Sequence, residues 1–354
     1  MSDHEEQEEE EKIPPKLLTP EIIKKGLSQI SSTFDGSSFA FSKLDIENNE
    51  LDLTCEELGN YENLRYAKLS KNKFTSISPL EKLPYIVRLE LQENKISSLA
   101  EFNVDHTFRF LQILDLSSNA LTALTPIKLP MLTRLNLSRN EIATAAAFEG
   151  HRNLKVLELR GNKLTNLAGI NHLNSLEELY LAENAITSLE GLGDLQKLKK
   201  LHLRKNNIQV LEEEKLPNLP KLEYLNIREN EIVDPPKLTS LSKFSKLQKL
   251  NLIDCPLNKD PSGEAKREIL IFVPHIKNIN KEDVTEEERT EAKADKEERD
   301  RIAEEARIEA ERIEKEAKEE QARQEALERE EREERERQEA LEREEKEKQE
   351  SPEE

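Results

Sequence analysis

The chain is 354 residues long, enough for a large core, yet only 35% of it is hydrophobic and 36% is charged, so part of it is not globular. The acidity sits at the ends: residues 1–12 carry 7 acidic and 1 basic side chains and residues 281–354 carry 33 and 18, which leaves 13–280 at +1 against −20 for the whole chain. That balance excludes a polybasic nucleic-acid-binding surface, and without an apolar leader behind MSDHEEQEEEEK or an apolar run of membrane-spanning length the chain is expected in the cytosol, away from membranes.

Residues 1–17 form an acidic arm, expected to be disordered. Thr19, Pro20 and Glu21 then read as a helix start, with Thr as N-cap, Pro at the first helical position and an acid in the first turn. The helix EIIKKGLSQI places Ile23, Leu27 and Ile30 on one face, and residues 18–40 are expected to be an N-terminal capping helix for the array that follows.

From Phe41 one pattern repeats. Leu154, Leu157, Leu159 and Asn162 fill LxxLxLxxN, and the four roles return 22 residues later at Leu176, Leu179, Leu181 and Asn184, then at Leu198, Leu201, Leu203 and Asn206. The Asn position runs through Asn49, Asn72, Asn94, Asn119, Asn140, Asn162, Asn184, Asn206 and Asn230 at intervals of 21 to 25, and Cys255 takes it in a tenth unit. Each unit is a leucine-rich repeat: a short strand turns its leucines inward, and the Asn amide can bond backbone groups that the following turn leaves unpaired. One unit alone buries almost nothing, whereas stacked units share a leucine core. The predicted fold is therefore α/β, a leucine-rich-repeat solenoid of ten units over 41–258 with a parallel sheet on its concave face. Units this short predict single 3₁₀ turns on the outer side.

Residues 259–284 are expected to be a C-terminal cap, with Ile269, Leu270, Phe272 and Val273 on a short helix and Ile276 and Ile279 in a degenerate strand. Because solenoid contacts join neighbours, the distant Cys55 and Cys255 are expected as free thiols. From 285 to 350 there is no Gly or Pro, and charged pairs four residues apart recur, among them Glu325 with Arg329, Glu328 with Arg332 and Glu342 with Lys346. A helix of that length reaches on the order of 100 Å. RQEALEREE returns after 14 residues, two heptads, but the seam this makes holds few apolar side chains. The expected state is a single charged helix, with a weak coiled coil as the alternative and Leu327 and Leu341 available to a partner.

Enzyme signatures are missing: no phosphate-cradling Gly-rich loop, HExxH, paired CxxC or GxSxG occurs, and the 6 histidines are scattered. No catalytic residue, cofactor, metal or small-molecule substrate is expected. What remains is surface. On each strand the residues between and just after the leucines face the hollow of the arc, and Lys68, Glu90, Arg134, Glu158 and Glu178 fall there. So do Tyr66, Arg88, Arg160, Tyr180, Lys200, His202, Arg204, Tyr224, Arg228 and Lys249, the candidate protein-binding residues, because Tyr and Arg most often anchor interfaces. For any one residue alone a solvated face is the better reading; the cluster weighs against that. From Arg160 to Lys249 the face reads as mainly basic, which points to an acidic partner or to the chain's own tail.

The segments LTPEIIKKGLSQI, LRGNKLTNLAGINHL, LYLAENAITSLEGLGDLQKLKKLHLRKNNI and VPHIKNINKEDVTEEERTEA, spread over about residues 18–292, resemble the ciliary leucine-rich-repeat protein family of the axonemal radial spoke. The resemblance implies a non-enzymatic structural component near the spoke head, in the cytoskeleton of cilia and flagella. Its partners would be other radial spoke and axonemal proteins, and its role to help assemble the spoke and support beating. The helix beyond Ala294 extends past the resemblance. The alternative is a leucine-rich-repeat regulatory subunit of a protein phosphatase, which accounts for the arc equally well but gives the long helix no purpose.

Overall fold

A computed structural model describes residues 16–52, 56–233, 235–259 and 264–349. Cys55 and nearly all of the acidic arm lie outside the described residues. The chain enters through β1 (Lys16–Leu17), α1 (Pro20–Gly26), β2 (Leu27–Ser32), β3 (Phe39–Asp45) and β4 (Leu51–Asp52). Short repeat strands follow: β5 (Tyr66–Lys68), β6 (Arg88–Glu90), β7 (Ile113–Asp115), β8 (Arg134–Asn136), β9 (Val156–Glu158), β10 (Glu178–Tyr180), β11 (Lys200–His202), β12 (Tyr224–Asn226) and β13 (Lys249–Asn251). After them come α2 (Glu264–Phe272), β14 (Asn278–Ile279), β15 (Glu282–Asp283) and α3 (Glu286–Gln349).

In the 13-stranded sheet, β3 and β5 to β14 run parallel in chain order, and antiparallel β2 and β15 stand at its two ends. The middle residue of each repeat strand, from Leu44 and Ala67 through Leu157, Leu179 and Leu201 to Leu250, is at most 2% exposed. Each such leucine contributes roughly 1.5–3 kcal/mol by leaving water. Outer segments are 3₁₀ turns at Ser78–Lys82, Ala100–Asn103, Glu213–Lys215 and Pro235–Lys243, as the repeat length predicts. The backbone turns out of each strand through a left-handed residue just before the Asn position, for example Lys71 (φ 56°), Arg139 (φ 56°), Gly161 (φ 67°), Glu183 (φ 58°), Glu229 (φ 55°) and Asp254 (φ 61°).

The N-terminal cap departs from expectation. The helix stops at Gly26, and Leu27–Ser32 pairs antiparallel with β3, placing Ile30 opposite Phe41. Ile23 is fully buried, whereas Ile30, expected on the same buried face, is 66% exposed. The cause is tertiary. A β-carbon at Gly26 would lie 2.6 Å from the Asp45 carbonyl oxygen, so the helix end abuts β3. As the first parallel strand, β3 would otherwise expose an unpaired row of backbone groups, which β2 takes up.

At the other end α2 buries Ala265, Ile269, Leu270 and Ile271, with Ile271 in the buried place expected of Phe272. The start of α3 is tied to this cap. Glu288 accepts from the Thr285 N–H (2.9 Å) while the Thr285 hydroxyl accepts from the Glu288 N–H (3.2 Å), a reciprocal capping box. Lys266 pairs with Glu288 (2.6 Å), and Arg289 donates to the carbonyls of Pro274 (2.6 Å) and Ile276 (2.7 Å).

Compact units divide at Thr290, and the helix beyond forms its own. There Ile302, Ile308, Ile313, Leu327 and Leu341 are 54–61% exposed. Arg329 and Arg332 reach forward to Glu333 (3.2 Å) and Glu336 (3.3 Å) instead of back to Glu325 and Glu328, because carboxylates stand four residues away on both sides. The Glu342–Lys346 pair lies outside the described side chains. Among the described residues no helix is long and apolar enough to cross a membrane.

Candidate functional site

The Asn ladder positions the face. Asn162 Nδ2 donates to the Leu159 carbonyl of its own repeat (3.0 Å) and the Leu137 carbonyl of the one before (3.0 Å), while its Oδ1 accepts from the Ile142 N–H (3.0 Å). Each ladder amide is therefore a staple between successive repeats. The same geometry holds at Asn72, Asn94, Asn119, Asn140, Asn184, Asn206 and Asn230, whose Oδ1 atoms accept from Leu51, Phe74, Ile96, Leu121, Leu164, Ile186 and Ile208 N–H groups at 3.0–3.1 Å. Asn49 is the exception: among the described residues its amide bonds only the nearby Glu47 carbonyl (2.8 Å), since what precedes β3 is a hairpin and not a repeat. At Cys255 the buried free thiol donates to the Ile227 carbonyl of the preceding repeat (3.3 Å).

Held this way, the strands present registered rows away from the core. One row runs Tyr66, Arg88, Ile113, Arg134, Val156, Glu178, Lys200, Tyr224, Lys249, and a second passes through Glu158, Tyr180, His202 and Asn226. Tyr180 stacks on His202 (ring centroids 4.5 Å, 22° apart), and His202 leans on Tyr224 (5.0 Å, 42°). With Lys200, Glu223, Gln248 and Lys249 these rings line a groove of about 390 Å³. Tyr66 and Arg88 belong to a different hollow of about 370 Å³, with Gln29, Lys43 and Lys68. Four strand spacings, roughly 19 Å, separate Arg88 on β6 from Tyr180 on β10, so the candidate residues do not form a single patch.

The face is also not basic. Arg160 pairs with Glu183 (2.7 Å), Lys200 with Glu178 (2.7 Å), Arg204 with Glu229 (2.8 Å), and Arg228 with Asp254 (2.7 Å). Towards the other end Arg88 pairs with Glu90, Arg134 with Glu158, and Lys68 with Glu47. Exposed pairs such as these add little stability, but they cancel the field that an acidic partner would feel. Among the candidate cations Lys249 alone has no ion pair among the described residues. The sequence reading missed Glu183, Glu229 and Asp254, each at the left-handed position just before a ladder residue. Their fixed offset from the Asn position is the signal that could have found them.

Burial shapes the aromatic stack's chemistry. It pushes Tyr180 up to about 12, helped by the hydroxyl's hydrogen bond to Glu178 (2.6 Å). It pushes His202 below its ordinary value of 6.5, opposed by Glu178 and aided by Lys200, so at neutral pH His202 is a neutral stacking ring. His151 is lowered in the same way. For both, the unfolded chain takes up a proton at higher pH than the folded one, so stability is complete above 6.5 and falls as pH drops through the window below it. Urea melts at pH 7.5 and 5.5 are expected to show wild type losing more stability than His202→Gln. Equal losses would remove His202 from the account.

A parallel sheet backed by stacked leucines, stitched by an Asn ladder and carrying an ordered aromatic face, defines a leucine-rich-repeat protein with a protein-interaction surface. A family profile for the leucine-rich repeat matches residues 135–307. The Homo sapiens protein named leucine-rich repeat-containing protein 23 is 35% identical over 301 residues, 78% of this chain and 79% of that protein. Its Bos taurus namesake is 35% identical over 297 residues, covering 78% of each. The chain belongs to the leucine-rich repeat-containing protein 23 family. Among solved structures, the leucine-rich repeat domain of APL1 superposes with a TM-score of 0.51 at 21% identity over 60% of this chain and 55% of that one, a likeness of fold alone.

Proposed function

We propose that the chain is a non-enzymatic adaptor of the ciliary axoneme, a radial spoke component near the spoke head that holds other spoke proteins on its concave face and so supports motility. The stack of Tyr180, His202 and Tyr224 carries the binding role. Three rings ordered on adjacent strands are set before a partner arrives, so little side-chain freedom is lost on docking. Neutral His202 and the compensated charges around it favour an aromatic-anchored interface in which ion pairs set orientation. The resemblance of its pre-repeat and post-cap segments to the radial-spoke family supports the axonemal location.

A double variant, Tyr180→Ser with Tyr224→Ser, tests this in ciliated cells that lack the native chain. Neither ring lies in the leucine core, so circular dichroism of the variant is expected to match wild type, while its amount in salt-washed axonemes falls by about tenfold, as loss of two anchor residues would produce. Full incorporation of the variant would take the aromatic face out of docking. Recovery of the native chain with soluble phosphatase activity instead of axonemes would overturn the location.

A further inference from the structure

A further hollow on the solenoid lies outside the concave face. It measures about 840 Å³ and sits where the chain enters the strands, walled on one side by Asp105–Thr107 and Arg109 and on the other by Lys128–Pro130, Glu149–Asn153, His172 and Asn174. Its origin is a mismatch of repeat lengths. Asn94 to Asn119 spans 25 residues, whereas Asn119 to Asn140 spans only 21, so a protruding repeat abuts a recessed one. Extra length in a repeat is displayed on one face, often the one that binds. The protruding wall is anchored by Phe108, which is 1% exposed and packs on Phe102 (ring centroids 5.4 Å). His106 (φ 73°) and Phe108 (φ 46°) both hold left-handed backbone there, off the one-per-repeat position seen elsewhere. The opposite wall is stitched: His151 bonds the Leu129 carbonyl (2.8 Å) and Asn153 Nδ2 donates to the Pro130 carbonyl (2.7 Å).

The charges here differ in kind from those of the concave face. Asp105 is matched by Lys128 (3.0 Å), and Glu149 also stands in the wall. Arg109 and Arg152, one from each wall, are exposed and have no ion pair among the described residues. Two guanidinium groups lining one hollow, both without an ion pair among the described residues, suit carboxylates on an extended chain, because a planar fork matches a carboxylate in two parallel hydrogen bonds. We infer that this rim pocket docks an extended, Asp/Glu-rich segment of another polypeptide, so that acidic recognition belongs to the rim and not to the concave face. The site is independent of the aromatic stack, and its failure would leave that reading untouched.

Fluorescence anisotropy of a fluorescein-labelled decaglutamate peptide against the full chain tests it. Binding by wild type is expected, weakened at least about tenfold in Arg109→Glu/Arg152→Glu, whose exposed positions leave the urea midpoint unchanged. The pair Lys221→Glu/Lys246→Glu, with the same change in net charge at exposed positions away from the pocket, is expected to bind as wild type does. No binding by wild type, equal loss in both pairs, or binding that appears only after removal of residues 1–15 would each overturn the assignment, the last by giving the pocket to the chain's own acidic arm.

Discussion

Replacing Gly169 with alanine is expected to cost roughly 2–5 kcal/mol, the sum of a left-handed backbone penalty and an overpacking penalty. Gly169 has φ +88°, and a β-carbon there would lie 1.8 Å from the Ala145 carbonyl oxygen and 2.6 Å from its carbonyl carbon. These are backbone atoms of the preceding repeat, so no rotamer change relieves the overlap. Phe148 donates its N–H to that same oxygen (2.8 Å), which further holds the carbonyl in place. Gly161→Ala is the control. At φ +67° its new β-carbon meets Arg139 Cγ at 3.4 Å and the Arg139 Cα and backbone nitrogen at 3.7 Å, all ordinary van der Waals contacts. Neighbouring repeats already carry Glu183 and Lys205 at the corresponding turn position, so about 1 kcal/mol is expected there. Urea melts of the two variants decide the matter: coincident midpoints would mean that the backbone around Ala145 gives way.

Asn162→Ala is expected to cost about 3 kcal/mol, the upper end of what an orphaned buried polar group costs. Asn162 is 8% exposed, and its removal takes a partner from the Leu137 and Leu159 carbonyls and from the Ile142 N–H together. Because that side chain staples one repeat to the one before, the loss falls on a nearest-neighbour interface, and the single urea transition is expected to broaden towards two as the halves of the array uncouple. Asn49→Ala, which among the described residues breaks a bond to Glu47 within its own turn, is expected to stay within about 0.5 kcal/mol of wild type. An Asn162→Ala protein that melts with the native midpoint and slope would show that the ladder does not couple the repeats.

The aromatic stack and the solenoid differ in how far sequence reached them. LxxLxLxxN at Leu154, Leu157, Leu159 and Asn162 carries its own geometry, because alternation dictates which leucines point inward and the 22-residue period dictates what stands beside them. Parallel sheet, 3₁₀ outer turns and Asn ladder follow from contacts between a residue and its equivalent one period away. Tyr180, His202 and Tyr224 were legible as neighbours for the same reason: they stand near one another across adjacent strands. Their stacking was not, since it depends on ring tilt and on how burial sets the charge of His202.

Where contacts break the period, pattern was silent. Leu27–Ser32 forms a strand because the first repeat has an open edge to satisfy, a demand invisible to the local helix signal of EIIKKGLSQI. The balance of charge on the concave face was decided by Glu183, Glu229 and Asp254, whose carboxylates reach cations of the preceding repeat from the turn beyond the strand. The rim hollow arises where a repeat of 25 residues meets one of 21, and its two arginines without an ion pair among the described residues come from different repeats. Sequence by itself determined what each repeat does to its equivalent neighbour, since one register governs all such contacts. Tertiary structure alone decided what happens at the ends, at the length mismatch and among long charged side chains, because there the partner is chosen by reach and exposure across repeats and not by position within one.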